Sequence, residues 1–204
     1  MASLVQMLVA VELALLPAWV AAAWVRPPEA WASRALRTLL PAAVLELVIL
    51  VLALLAGEGL WLGAIKAQVV AAALLTLLVG LASAFERVAG PRPAQVLTAL
   101  AGWLVVGGII LAGPAVQLVG EPAKEIVIRA AAASNPLVAA ETELGLKWLH
   151  QSLTYRLTPL GESYSYLLGG LAWWKTALGY VFVGSGLVVF SLPKWHRRRA
   201  GDGY

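Results

Sequence analysis

The 204-residue chain is 61% hydrophobic and only 13% charged, with a mean hydropathy of +0.82; a soluble domain carries about 25% charged residues, so too little polar surface exists here for a water-soluble globule. The formal net charge is +4 and there is no cysteine, which excludes disulfides, thiolate metal sites, iron–sulfur clusters and a cysteine nucleophile. The two histidines, His150 and His196, both lie outside the long apolar segments, which excludes a bis-histidine haem held between spans.

The expected fold is an all-α integral membrane protein, a single polytopic domain over residues 1–204 with about five transmembrane helices. About 20 apolar residues at about 1.5 Å each cross about 30 Å of hydrocarbon. Segments of that length run over 4–25, 39–62, 67–86, 95–119 and 166–192. The first has no basic residues ahead of it, so it reads as a retained span and not as a cleaved signal peptide. Glu12 stands near its middle, and Pro17 removes a backbone hydrogen bond near Leu13, opening carbonyls beside the acid.

The next stretch, RPPEAWASRALRT, predicts a short interfacial cytoplasmic helix over about 28–38. Trp31, Ala35 and Leu36 would face lipid or a partner, and Arg34 and Arg37 would face phosphates or acids. Trp31, Arg34 and Arg37 are therefore candidates for docking a cytoplasmic protein, or simply anchors on the inner leaflet. Span two carries Glu46. A carboxyl at such depth is costly unless protonated or paired. Glu12 and Glu46 thus read either as a proton, cation or substrate site or as a hydrogen-bonded link to another helix. No basic residue at mid-membrane is placed to pair with them, which hints at a partner from another protein. A turn is expected near Gly63–Lys66, then span three, a basic loop over 87–94, and span four. Small residues recur in span four at Gly102, Gly107, Gly108 and Ala112, where Gly108 and Ala112 form a small-xxx-small pattern that allows close packing.

Residues 120–165 predict an ordered extracytoplasmic cap with two short helices, Glu125–Ala133 and Pro136–Leu149. Ser134–Asn135–Pro136 reads as a helix cap followed by proline at the first helical position. This segment is too apolar to rest in water. It is expected to lie in the outer interface or to dip back against the bundle, where protein can satisfy its backbone. Its candidate functional residues are Asn135, Pro136, Trp148, His150 and Tyr155, which would serve a substrate gate or a plain lid. In span five, Lys175 is expected about two turns inside, snorkelling outward, and Gly179, Gly184, Ser185 and Gly186 form a second small-residue stretch. The basic tail over 193–204 touches anionic lipid.

Orientation follows from charge. With the N-terminus outside and the C-terminus cytoplasmic, Arg26, Arg34, Arg37, Arg87, Arg92, Lys194, Arg197, Arg198 and Arg199 lie inside, nine of the 15 Lys and Arg. The reverse orientation breaks the positive-inside rule at all three basic regions. The expected location is a bacterial cytoplasmic membrane. His150 with Glu141, Glu143 or Glu162 is a poor zinc pattern, so no metal or cofactor is expected. No catalytic motif points to an enzyme, and a basic stretch at a span end points to topology and not to nucleic acid.

Two short apolar outer helices before the last span, here within 124–160, and an amphipathic cytoplasmic helix between early spans, here over 27–38, together resemble the membrane subunits of ABC-2-type exporters. The resemblance is one of topology over most of the chain. It implies that the cytoplasmic helix contacts an ATPase and that the outer helices cap a transport path. The chain departs from that family in having five spans where six and a cytoplasmic N-terminus are usual. The expected function is a subunit of a larger membrane assembly, of transporter permease type. The alternative is an accessory or scaffold subunit of a respiratory or photosynthetic complex. The partners would be membrane lipids with other membrane subunits or a cytoplasmic ATPase.

Overall fold

A computed structural model describes residues 2–24, 31–57, 59–145 and 172–192. These form seven helices and no strand among the described residues: α1 Ala2–Ala23, α2 Trp31–Ala56, α3 Leu60–Ala89, α4 Pro91–Gln117, α5 Glu121–Ala133, α6 Pro136–Leu144 and α7 Trp173–Ser191. Five are long and apolar enough to cross a membrane: α1, residues 36–56 of α2, α3, residues 91–114 of α4, and α7. The chain is therefore an all-helical polytopic membrane protein.

Helix α3 is the mast of the bundle. It touches α1, α2, α4, α6 and α7, and 67% of its apolar window is buried against 17% for α2. Its sequence explains the difference. Gly63, Ala64, Ala67, Ala71, Ala73, Gly80, Ala82 and Ala84 are small and buried on several faces, so neighbouring helices approach closely all round it. Helix α2 instead carries Leu40, Val44, Leu47, Leu54 and Leu55 outward, and bulky aliphatic residues suit a lipid-facing surface.

Two expectations on boundaries are corrected. The turn after span two lies at Gly57 and Gly59, with φ of 74° and 75°, and not near Gly63–Lys66, which belongs to α3. Two left-handed glycines end a helix at little cost, whereas Gly63 lies inside α3, where an added Cβ would run into the backbone carbonyl of Glu143 of α6. Residues 31–38 are not a separate interfacial helix; they are the opening turns of a continuous α2. Pro41 inside α2 removes one backbone donor but does not break the helix.

The two ends of the bundle are tied differently. At the basic end, Arg34 Nη1 donates to both oxygens of Glu86, at 2.8 and 2.9 Å, and Trp24 Nε1 donates to Glu86 Oε2 at 2.8 Å. This joins the end of α1, the start of α2 and the end of α3. Arg87 stacks on Phe190 at the end of α7. At the opposite end, Lys66 Nζ meets Glu143 Oε2 at 2.7 Å, and Gln6 Nε2 donates to the carbonyl of Leu144 at 2.9 Å, so α6 is tied to α3 and α1.

Candidate functional site

The expected cap pair folds as a helical hairpin packed against the bundle. Helix α5 descends into the bundle, the chain turns at Ser134–Asn135, and α6 returns to the end marked by Lys66 and Gln6. Three side chains pin the turn. Asn135 Nδ2 donates to the carbonyls of Val105 and Val106 at 3.1 and 2.8 Å. Thr176 Oγ1 donates to the Ala133 carbonyl at 2.7 Å, and the Tyr180 hydroxyl donates to the Ser134 carbonyl. Val105 and Val106 stand near the midpoint of the 27-residue α4. At about 1.5 Å per residue the turn is thus about 17–22 Å from either end of that helix.

The local sequence accounts for this geometry. Asn135 caps α6, its Oδ1 accepting from Leu137 N and Val138 N at 3.0 and 3.2 Å, with Pro136 at the first helical position. The cap expected from Ser134–Asn135–Pro136 forms, and the amide nitrogen left over reaches α4. The exposed carbonyls at the end of α5 take hydroxyls from α7. The turn's backbone is therefore satisfied by protein, level with the middle of α4. Ile109, Ala112 and Val116 of α4 pack on Ile128 and Ala132 of α5 and Val138 of α6. Ala112 is buried in that contact, whereas Gly107 and Gly108 face open space. The close approaches are backbone to backbone at Gly63–Glu143 and Gly80–Gly184, and to the side chains of Pro17 and Leu78 at Gly102.

Cavities flank the turn on two sides. One of about 310 Å³ is bounded by Leu104, Val105, Gly108, Ala131, Ser134 and Tyr180. Another of about 360 Å³ lies between the hairpin and α7, with Lys175, Thr176 and Tyr180 beside Ala133 and Ser134. Lys175 sits in the first turn of α7, exposed, with its ammonium 5.6 Å from the Trp174 ring centroid. It is not two turns inside, because α7 begins only at Trp173.

The intramembrane acids have an unforeseen neighbour. Glu12 is 3% exposed and Gln68 of α3 is 4% exposed. Gln68 Nε2 donates to Glu12 Oε2 at 2.9 Å. The partner missing from the charged residues is an amide within the same chain. Glu46 is half-buried on α2 and interacts electrostatically with Glu12. Pro17 lies inside the continuous helix α1, and Trp103 Nε1, in α4, donates to the Ala14 carbonyl one turn before it at 3.2 Å.

Of the docking candidates, Arg34 points inward onto Glu86, with its guanidinium 5.5 Å from the Trp24 ring centroid. Arg37 is exposed and lines a cavity with Trp19, Ala22 and Ala23. Trp31 opens α2. Trp148, His150 and Tyr155 lie outside the described residues. Among the described residues no group of three His, Cys, Asp or Glu could hold a metal ion.

No protein family, curated protein or solved structure matches the chain.

Proposed function

We propose that the chain is a transport-type subunit of a larger membrane assembly, in which the α5–α6 hairpin walls a path reaching mid-membrane. The observation that carries this reading is the hairpin turn, held near the midpoint of α4 between two cavities. Helices that break off at mid-membrane form substrate and ion sites in transporters, because irregular backbone is tolerated there only against protein or a water-filled cavity. A second observation supports it. Helix α5 carries the Glu125–Arg129 pair, 55% and 61% exposed, on its way to the turn. Charges facing lipid at that depth are costly, so that face borders water or another subunit. The proposed orientation in a cytoplasmic membrane puts the Arg34–Glu86 end inside and the hairpin mouth outside. A cytoplasmic ATPase would then meet the basic end.

The absence of cysteine makes the test direct, because each introduced thiol is the sole target. Ser134→Cys at the turn is expected to react with a membrane-impermeant thiol reagent. Phe182→Cys, on the outward face of α7 at 83% exposure, is the lipid-facing control and is expected to stay unreacted. An inert Ser134→Cys alongside a folded protein would make the hairpin a sealed lid and sink the path. Mild-detergent purification then separates assemblies: an ATPase that co-migrates supports transport, and haem or pigment proteins would replace it with a scaffold role.

A further inference from the structure

Glu12 and Gln68 present a counting problem that one proton solves. Besides the bond from Gln68 Nε2 to Glu12 Oε2, each side chain keeps one buried oxygen with no donor: Glu12 Oε1 and Gln68 Oε1. An ionised carboxylate only accepts, and an amide oxygen only accepts. Two such oxygens cannot satisfy each other, and a buried polar atom left unpaired is costly. A carboxyl that gains a proton on Oε1 becomes a donor on that atom while Oε2 continues to accept. The acid O–H then donates to the amide oxygen as the amide N–H donates to the acid oxygen. One added proton satisfies both orphan atoms and removes the charge from the bundle interior.

We propose that Glu12 and Gln68 form a proton-binding site inside the bundle, closed by a reciprocal acid–amide hydrogen-bond pair between α1 and α3. A metal ion fits the same oxygens poorly. Hard cations take about six or more oxygen ligands. Here the pair offers two orphan oxygens, and no group of three His, Cys, Asp or Glu could hold a metal ion among the described residues. The route for the proton is the groove between α1 and α2, about 200 Å³, which Glu12 lines with Leu8, Leu15, Trp19 and Leu45. Binding forms the Oε1–H bond from a proton of solvent water. Release returns it, leaving a carboxylate that keeps only the Gln68 N–H.

Among the described residues the charged surroundings of the pair are few. On α2, Glu46 is the group that acts on Glu12; Arg34 is bonded to Glu86 of α3 and, with Arg37, stands in the opening turns of α2 at the basic end. Arg87 ends α3 and Arg92 begins α4, at the same end. At the opposite end Lys66 of α3 is bonded to Glu143 of α6, and Glu141 lies one turn before Leu144. Glu46 is therefore the second carboxyl that a titration has to separate from Glu12. The site uses α1 and α3 and does not depend on how the hairpin is read.

Infrared spectroscopy of the full chain in lipid nanodiscs, titrated over pH, tests this. The carbonyl stretch of a protonated carboxylic acid is resolved from carboxylate bands. The expected result is an acid band at neutral pH that is lost in Glu12→Gln, kept in Glu46→Gln and shifted in Gln68→Leu, whose apolar side chain takes no bond. Glu12→Gln keeps an amide–amide pair of the same shape, so it is expected to fold. If it does not, the band's shift in Gln68→Leu and its presence in the wild-type protein still decide the matter. Absence of any acid band in the wild-type protein at neutral pH overturns the proposal. So does a band that survives Glu12→Gln, disappears in Glu46→Gln or ignores Gln68→Leu.

Discussion

Gly80 of α3 and Gly184 of α7 lie backbone against backbone, and a methyl group on Gly184 would come within 2.6 to 2.7 Å of Thr76 O and Leu77 N. Backbone cannot step aside as the end of a flexible side chain can. Gly184→Ala is therefore expected to lower stability by about 1–3 kcal/mol, the usual cost of overpacking, read as a lower melting temperature in detergent. Gly107→Ala and Gly186→Ala are the contrast, since both positions face open space. These should be neutral or up to about 1 kcal/mol stabilising, because alanine is the better helix former. Equal losses at all three positions would mean that close packing is not what selects glycine at 184. Composition alone displays a row of small residues in spans four and five. It does not say which of them touch, because that depends on how each helix is rotated about its axis.

At the scale of elements, the hairpin and the basic-end clamp make separate predictions. Asn135 both caps α6 and ties the turn to α4. Asn135→Ala loses a cap worth about 0.5–2 kcal/mol and frees the turn from the Val105 and Val106 carbonyls. The expected outcome is a lower melting temperature and faster thiol labelling of a Ser134→Cys background. Asn135→Ser should recover the cap but not the reach to α4, so stability returns further than slow labelling does. A labelling rate unchanged in Asn135→Ala would show that Thr176 and Tyr180 alone hold the turn. At the other end, Arg34 and Glu86 have side chains 12% and 28% exposed. Hydrogen bonds to charged groups at such sites contribute about 1.5–3 kcal/mol. A double-mutant cycle with Arg34→Ala and Glu86→Gln is expected to give a coupling in that range. A coupling near zero would reduce the clamp to a surface ion pair.

At the scale of the whole molecule, charge and topology meet. Arg34, Arg37, Arg87 and Arg92 gather at one end of the bundle, while the hairpin enters from the other. If the basic end is cytoplasmic, Ile126→Cys on the exposed face of α5 is expected to label in intact cells. Arg92→Cys at the start of α4 should label only after permeabilisation. The opposite pattern would invert the proposed topology. The reading from sequence alone reached this arrangement in outline. Five apolar runs appear as five helices long enough to span, with ends displaced by up to about eight residues, and two short helices lie within the segment read as a cap. The displaced ends have a common cause. Apolar residues at 60–66 and polar ones at 31–38 belong to the same helices as their neighbours, and hydropathy cannot see backbone continuity.

What the sequence determined by itself is what depends on local chemistry: long apolar runs that must span, glycines and prolines that punctuate them, and Asn135–Pro136 as a helix start. Only the tertiary structure decided the depth of the hairpin, the inward turn of Arg34 onto Glu86, the approach of Gly80 to Gly184, and Gln68 as the partner of Glu12. The physical reason is the bilayer. These helices are apolar on nearly every face, so no amphipathic stripe marks which side is buried. Buried polar atoms still require partners, and across 56 residues of sequence between Glu12 and Gln68 only the packed fold brings donor to acceptor.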